Sequence, residues 1–438
     1  MTQSLPSTIN AKNRLWAAIG GPLDLRATVS KGGGELLWVL AGKLALMGTN
    51  AAVMLLLANR LELNTYGLLV LTISGQLLIS RMLLIGVDSG MVRLSALPEL
   101  MPRAKQVVEA GFLVIGATSG ILLVATAVAF PFVSRSGTPT WLLLCTAAGA
   151  IGTALVDYGY NFRLARHEYP AAALAQGGTA VWRFGLTTLA ALKLPENPAA
   201  VFAAYHGASL ISGVVQTLLT AKATERTDRA LIKRLLGYSY WIGQANIIVI
   251  FSLYQGTFLL MMLNRPAETG QFGLALTLSL GFFAIYNACS EYLSVRIRGL
   301  EHVTDVPRFL KRATAAALVL MLACIPIVLV IAAVMPWFVD PGWHVVAIFV
   351  WLSASMVLLI LQAPLVAVSQ YLLKPQLITL GWVMRALFIG VAGLMLAPQM
   401  GAVGAAIGQL IGSALALLVL GWLVISSLRT AMAAAGRA

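Results

Sequence analysis

Ala180-Val181-Trp182-Arg183-Phe184 and Trp382-Val383-Met384-Arg385-Ala386 are the two stretches on which the reading of this chain turns. Each sets one arginine in the middle of a long apolar run, and the two arginines stand 202 positions apart in 438 residues. A charged side chain at membrane depth costs about 2.5–3.5 kcal/mol on insertion scales, so it faces a polar interior rather than lipid. Two of them at matching places point to a chain built in two halves around a site suited to something negative.

Around these stretches, apolar runs of about 20 residues follow one another, each long enough to cross a bilayer as a helix. Twelve are expected, at approximately 36–58, 65–87, 107–130, 139–161, 170–192, 199–221, 243–264, 270–292, 313–335, 344–370, 376–397 and 401–427. Only 11% of the residues are charged and 59% are hydrophobic, with a mean hydropathy of +0.86. Soluble domains carry roughly 25% charged residues, so a water-soluble globule is excluded. A membrane barrel is excluded as well, because its strands are shorter and alternate in polarity. The predicted fold class is all-α integral membrane, with about twelve transmembrane helices in two six-helix lobes.

The net charge of +14 has a one-sided distribution. Of the 30 basic residues, 22 lie in the termini and in alternate loops, and only Arg60, Arg135, Lys193 and Arg265 lie in the opposite loops. This positive-inside bias places both termini in the cytoplasm and accounts for the charge without a nucleic-acid partner. Residues 1–30 lack a continuous apolar core, so the first span is expected to serve as an uncleaved signal.

The most charged loop, near 222–242, divides the chain. A cytoplasmic tail at 1–35, lobes at 36–221 and 243–427, a linker at 222–242 and a tail at 428–438 are expected. The linker's apolar and basic spacing suits either a helix on the anionic leaflet or a solvated connection. Internal repetition supports the division. Besides the two arginines, Ala204, Gly207 and Gly213 find counterparts in Ala405, Gly408 and Gly412, and Asp88 through Arg93 parallels Glu291 through Arg296. Six spans per half give the repeats the same orientation, related by an axis along the membrane normal with a site at their interface.

Arg60-Leu61-Glu62-Leu63-Asn64-Thr65-Tyr66-Gly67, then Gly86-Val87-Asp88 and Val92-Arg93, resembles the amino-terminal signature of O-antigen-type polysaccharide exporters. These belong to the multidrug/oligosaccharidyl-lipid/polysaccharide exporter superfamily. Ala267-Glu268-Thr269-Gly270-Gln271-Phe272 is similar to the opening of that family's second half, although Glu62 stands where the family usually has glycine. The resemblance covers about residues 36–427. It implies two lobes that open alternately to either side and carry an undecaprenyl-pyrophosphate-linked oligosaccharide across the inner membrane for lipopolysaccharide or other surface polysaccharide. The implied partners are that lipid-linked oligosaccharide, membrane lipids, and a polysaccharide polymerase with its chain-length machinery.

Arg183 and Arg385 are the leading candidates for holding the anionic head group, because guanidinium binds phosphate through paired hydrogen bonds and stays charged when desolvated. Pairing with a carboxylate or a backbone carbonyl is the structural alternative. Lys43 either joins the same basic cavity or reaches for the interface. Arg81 and Asp88, seven apart, share a helix face and form either an ion-responsive pair or an internal ion pair. Asp157 is the leading lone acid for ion coupling, with Arg163 or Arg166 as alternative partners, and Glu291 has Arg296 or Arg298. His206 reads first as a packing residue. The glycine stripe at 404, 408 and 412 lets helices approach closely.

No phosphate-cradling loop of the ATPase type occurs. His167, His206, His302 and His344, like Cys145, Cys289 and Cys324, have no metal-ligand spacing, so neither cofactor nor metal is expected. Drug antiport within the same superfamily is the rival reading, disfavoured by the basic character of the deep charges. An integral-membrane polymerase or ligase is a further rival, disfavoured by short outer loops.

Overall fold

The computed structural model describes residues 25–435 apart from 96–99, 101–102, 136–138, 167, 195, 221–227, 298–299, 301, 340–343 and 373. For 25–37, 39–40, 44, 93, 291, 295, 375 and 434–435 it describes the backbone alone. The described residues are 93% helical, and no strand occurs among them. The first lobe contains α1 (Leu25–Ala58), α2 (Leu63–Leu84), α3 (Ala104–Arg135), α4 (Thr140–Ala165), α5 (Tyr169–Lys193) and α6 (Pro198–Thr220). The second contains α7 (Arg229–Met262), α8 (Pro266–Ile297), α9 (Val306–Val334), α10 (Val345–Tyr371, with a 3-10 turn at Ile360–Gln362), α11 (375–400) and α12 (401–435). A short helix, Val87–Ser95, follows α2.

Ten of the described helices are long and apolar enough to cross a membrane. One of these, Pro375–Ala435, is really two spans joined at Gly401, where φ is +60°. Helix α5 is missing from the ten because Gln176, Thr179, Arg183 and Thr187 form a buried polar stripe along it. At 25 residues it still reaches across the hydrocarbon, at 1.5 Å per residue. Twelve crossings result, as expected.

The boundaries differ in places. Helix α1 starts at Leu25 rather than near 36, and residues 1–24 lie outside the described part. Within the expected linker, residues 229–242 continue into α7 without a break, while 222–227 lie outside the described residues. Leu231 and Leu235 of this stretch are buried with Val87 and Met91, so this end of α7 rests on protein.

The two lobes repeat one packing scheme. Helix α1 packs on α5, α2 on α4, and α4 on α6; in the second lobe α7 packs on the α11–α12 pair, α8 on α10, and α10 on that same pair. Across the seam α2 meets α8, flanked by α2 on α7 and α1 on α8. In lipid there is little hydrophobic drive between helices, so small residues that permit close approach hold such a seam. Gly67 at the start of α2 abuts Pro266, whose carbonyl oxygen would lie 1.8 Å from any added Cβ. Gly270, its counterpart in α8, abuts the ring of the fully buried Tyr66. The paired signatures seen in the sequence therefore meet each other at the less basic end of the bundle.

At the basic end α2 breaks, with φ of 47° at Ile85 and 78° at Gly86. The break lays Gly86 on Ser239 and Gly243 of α7, where an added Cβ would stand 2.5 Å from the Ser239 oxygen. Helix α2 thus touches the second lobe at both of its ends.

Candidate functional site: two buried arginines

The polar stripe of α5 turns Arg183 inward while Val181, Trp182 and Phe184 face outward. Arg183 is 8% exposed. Its Nη1 donates to Asn50 Oδ1 of α1 at 2.9 Å, and its Nη2 donates to Ser209 Oγ of α6 at 2.9 Å. The Tyr205 ring lies beneath the guanidinium, 5.0 Å from Cζ to centroid. A polar chain leads on from Ser209. Gln76 Nε2 donates to Ser209 Oγ at 3.3 Å and to Thr153 Oγ1 at 2.6 Å. His206 Nδ1 lies 2.5 Å from Gln76 Oε1, and its Nε2 lies 3.0 Å from Thr72 Oγ1. His206 is thereby a fully bonded packing residue.

Arg385 repeats the arrangement in α11, and it is 0% exposed. Its Nε donates to Ser413 Oγ of α12 at 3.0 Å, and its Nη1 donates to Ser252 Oγ of α7 at 2.6 Å. Trp382, one turn earlier, supplies the ring at 5.3 Å. Ser413 Oγ lies 2.8 Å from Ser355 Oγ of α10. Asn50 and Ser252 are 202 positions apart, as are Thr153 and Ser355, matching the arginines themselves. The repeat therefore extends from the charges to their partners, and the same offset applied to the sequence would have found them.

Among the described residues no carboxylate lies within ion-pair distance of either arginine. Carboxylate pairing, the structural alternative raised by the sequence, is absent there. Each guanidinium keeps one buried nitrogen without a protein acceptor, Nε in Arg183 and Nη2 in Arg385. A charge held only by neutral hydroxyl, amide and ring partners is left largely uncompensated, and burying it costs several kcal/mol on the order of the effective ion penalty. The two arginines do not converge. Each is bonded within its own lobe, to partners that include α1 or α7, helices that pack against the opposite lobe across the seam.

The acids assemble elsewhere in the first lobe. Arg81 Nη2 lies 2.9 Å from Asp157 Oδ2, and Arg81 Nη1 lies 3.7 Å from Asp88 Oδ2. Asn161 Nδ2 donates to the Asp157 backbone oxygen at 2.9 Å. Asp157 therefore pairs with Arg81, whereas Arg163 is bonded to Gln216 and Arg166 to Glu168. The seven-residue spacing of Arg81 and Asp88 does not run along one helix. Seven residues of unbroken helix span about 10 Å of axis, and the break at Ile85–Gly86 is what shortens the approach. Two carboxylates around one guanidinium give this cluster a net negative charge.

Lys43 is half-buried on α1 and forms no ion pair among the described residues. Glu291 lies on α8, and only its backbone is described. No group of three metal-ligating side chains occurs among the described residues.

The sequence matches no protein-family description and no curated protein. Its fold does have solved counterparts. An inward-facing conformation of a multidrug resistance MATE family transporter of the MOP superfamily superposes with a TM-score of 0.69 at 15% identity, covering 90% of this chain and 99% of that one. The lipid II flippase MurJ in an inward closed conformation gives 0.65 at 10% identity, covering 90% and 89%. An outward-facing MATE family transporter gives 0.59 at 17% identity, covering 90% and 95%. The likeness is one of fold, two lobes of six helices in a multi-pass membrane protein.

Proposed function

We propose that this chain is an inner-membrane flippase for an undecaprenyl-pyrophosphate-linked oligosaccharide, with both termini in the cytoplasm. The observation that carries the reading is the pair of buried arginines at equivalent places, each short of a countercharge. Phosphate is the stronger acceptor for a guanidinium than a serine hydroxyl is, because the hydrogen bonds are charge-assisted on both sides. Arg183 and Arg385 attract the pyrophosphate or an acidic sugar towards the seam between α1, α2, α7 and α8, with Lys43 adding to the same field. The prenyl tail stays in lipid while the lobes rock about the seam. The tight contacts of α2 at Gly67 and Gly86 are the surfaces such rocking has to separate in turn. Arg81, Asp88, Asp157 and Glu291 are the groups available for ion coupling, and a polysaccharide polymerase with its chain-length machinery is the expected consumer of the product.

Drug:cation antiport is the second reading. The net negative Arg81–Asp88–Asp157 cluster favours it, and so does the likeness to multidrug transporters. A membrane polymerase or ligase draws no support from the similar folds named above, which are MATE transporters and a lipid II flippase.

The test uses a strain lacking the protein, complemented with wild type, Arg183→Ala, Arg385→Ala or Asp157→Asn at equal membrane abundance. Surface polysaccharide and its lipid-linked precursor are measured beside efflux of a cationic dye. The flippase reading expects loss of surface glycan and precursor accumulation in the arginine variants. Normal glycan in the deletion strain, with dye efflux lost in Asp157→Asn, selects the antiporter.

A further inference from the structure

Helix α9 opens on the basic side of the bundle with Pro307-Arg308-Phe309-Leu310-Lys311-Arg312. Arg308, Lys311 and Arg312 are all exposed. With Pro307 and Ala315 they border a shallow, open groove along one face of the helix. The opposite face of the helix, Val306, Ala313 and Ala317, is buried, so the groove looks away from the bundle. Helical spacing carries the same face upward through Ala315 to Val319, Leu322 and Val330, which are exposed as well. The result is a cationic rim continuous with a hydrocarbon-compatible strip.

The three cations form no ion pair among the described residues, and the nearby Asp305 forms none either. Arg308, in the first turn, also stands against the positive end of the helix dipole. The basic residues that open α7 differ, since there Leu231 and Leu235 are buried on both sides of Lys233 and Asp228 caps the helix. Neither helix packing nor salt bridging explains the α9 cluster.

We infer that this face of α9 binds an anionic phospholipid of the leaflet on the basic side. The phosphodiester sits on Arg308, Lys311 and Arg312, and an acyl chain lies along Ala315, Val319 and Leu322. A guanidinium suits a phosphate by geometry, and its hydrogen bonds to it are charge-assisted. Basic residues at a membrane surface are attracted by the negative potential of anionic lipid. The site is separate from Arg183 and Arg385 and stands whether or not the glycan reading holds.

Native mass spectrometry of the full chain in detergent, with equimolar phosphatidylglycerol and phosphatidylcholine added, tests it. Wild type is expected to retain phosphatidylglycerol at least about tenfold over phosphatidylcholine. Arg308→Ala/Lys311→Ala/Arg312→Ala is expected to bring that ratio close to one. Ala315→Trp, at an exposed position, fills the groove without changing charge and is expected to lower retention too; should the triple variant not fold, this result decides. Equal retention of both lipids by wild type, or an unchanged ratio in the variants, overturns the site. Displacement by glycerol phosphate at the same concentration overturns the acyl-chain part. Preferential displacement by undecaprenyl pyrophosphate overturns the assignment to a bulk lipid in favour of cargo.

Discussion

The two lobes hold their arginines by the same scheme and surround them differently. Arg183 shares a polar network with Gln76 and His206 and its lobe with an acid cluster, and the network runs through α2, α4 and α6. Arg385 is hydrogen-bonded to serine hydroxyls alone, over the Trp382 ring. Those serines do not depend on it, because Ser252 Oγ also donates to the Val249 oxygen and Ser413 Oγ to the Gln409 oxygen, each at 2.8 Å. In the first lobe the arginine is one member of a connected network. In the second it is a lone charge whose removal orphans little.

This contrast orders the expected effects. Arg385→Ala is expected to lower flipping about a hundredfold, the loss of charge-assisted hydrogen bonds of about 1.5–3 kcal/mol each, read as precursor turnover in proteoliposomes. An effect smaller than that of Arg183→Ala breaks the comparison. Asp157→Ala leaves Arg81 facing only the more distant Asp88 and is expected to cost about 1–3 kcal/mol, below the figure for a fully buried pair because both side chains are partly exposed. A thermal unfolding series with Arg81→Ala, Asp157→Ala and the double variant reads the coupling. Additivity would show that the first lobe is no more connected than the second. His206→Ala leaves Gln76 Oε1 and Thr72 Oγ1 short of a partner, with an expected cost of about 1–3 kcal/mol and unchanged flipping rate per folded molecule. Arg183→Lys keeps the charge but loses the fork that reaches Asn50 and Ser209 together. A fall of only a few-fold in flipping is expected, on the order of 1 kcal/mol for one hydrogen bond lost.

The bundle itself was legible from hydropathy, because a span needs length and apolarity and little else. Helix α5 shows where that criterion runs thin: its polar stripe lowers the mean, and the arginine that draws attention to it also hides it as a span. The twofold repeat could be read from Arg183 and Arg385, and its full extent lay in the same numbering, since Asn50 and Ser252 share their offset. Neutral serines and asparagines simply carry no signal until a charge is placed beside them. The linker could not be read, because an interfacial amphipathic helix and the buried base of α7 require the same alternation of leucine and arginine. What separates them is the short helix Val87–Ser95, more than a hundred residues away. The approach of Asp88 to Arg81 was hidden for a related reason. It depends on the break at Ile85–Gly86, and an isoleucine with positive φ is not predictable from local preference. Gly401, which has a positive φ and leaves no room for a Cβ beside the Glu268 carboxylate, was legible only as an interruption between two spans.

The central claim is that Arg385 is kept for an external anion and not for the fold. Arg385→Met tests it most directly, with thermal unfolding and precursor flipping measured on the same purified preparation. Methionine fills similar volume, and Ser252 and Ser413 keep their own carbonyl partners. The expected result is a protein more stable by about 1–4 kcal/mol, as when buried charges give way to apolar side chains, that no longer flips the lipid-linked precursor. A variant that loses stability while flipping at the wild-type rate per folded molecule would contradict it, and would make Arg385 a structural residue.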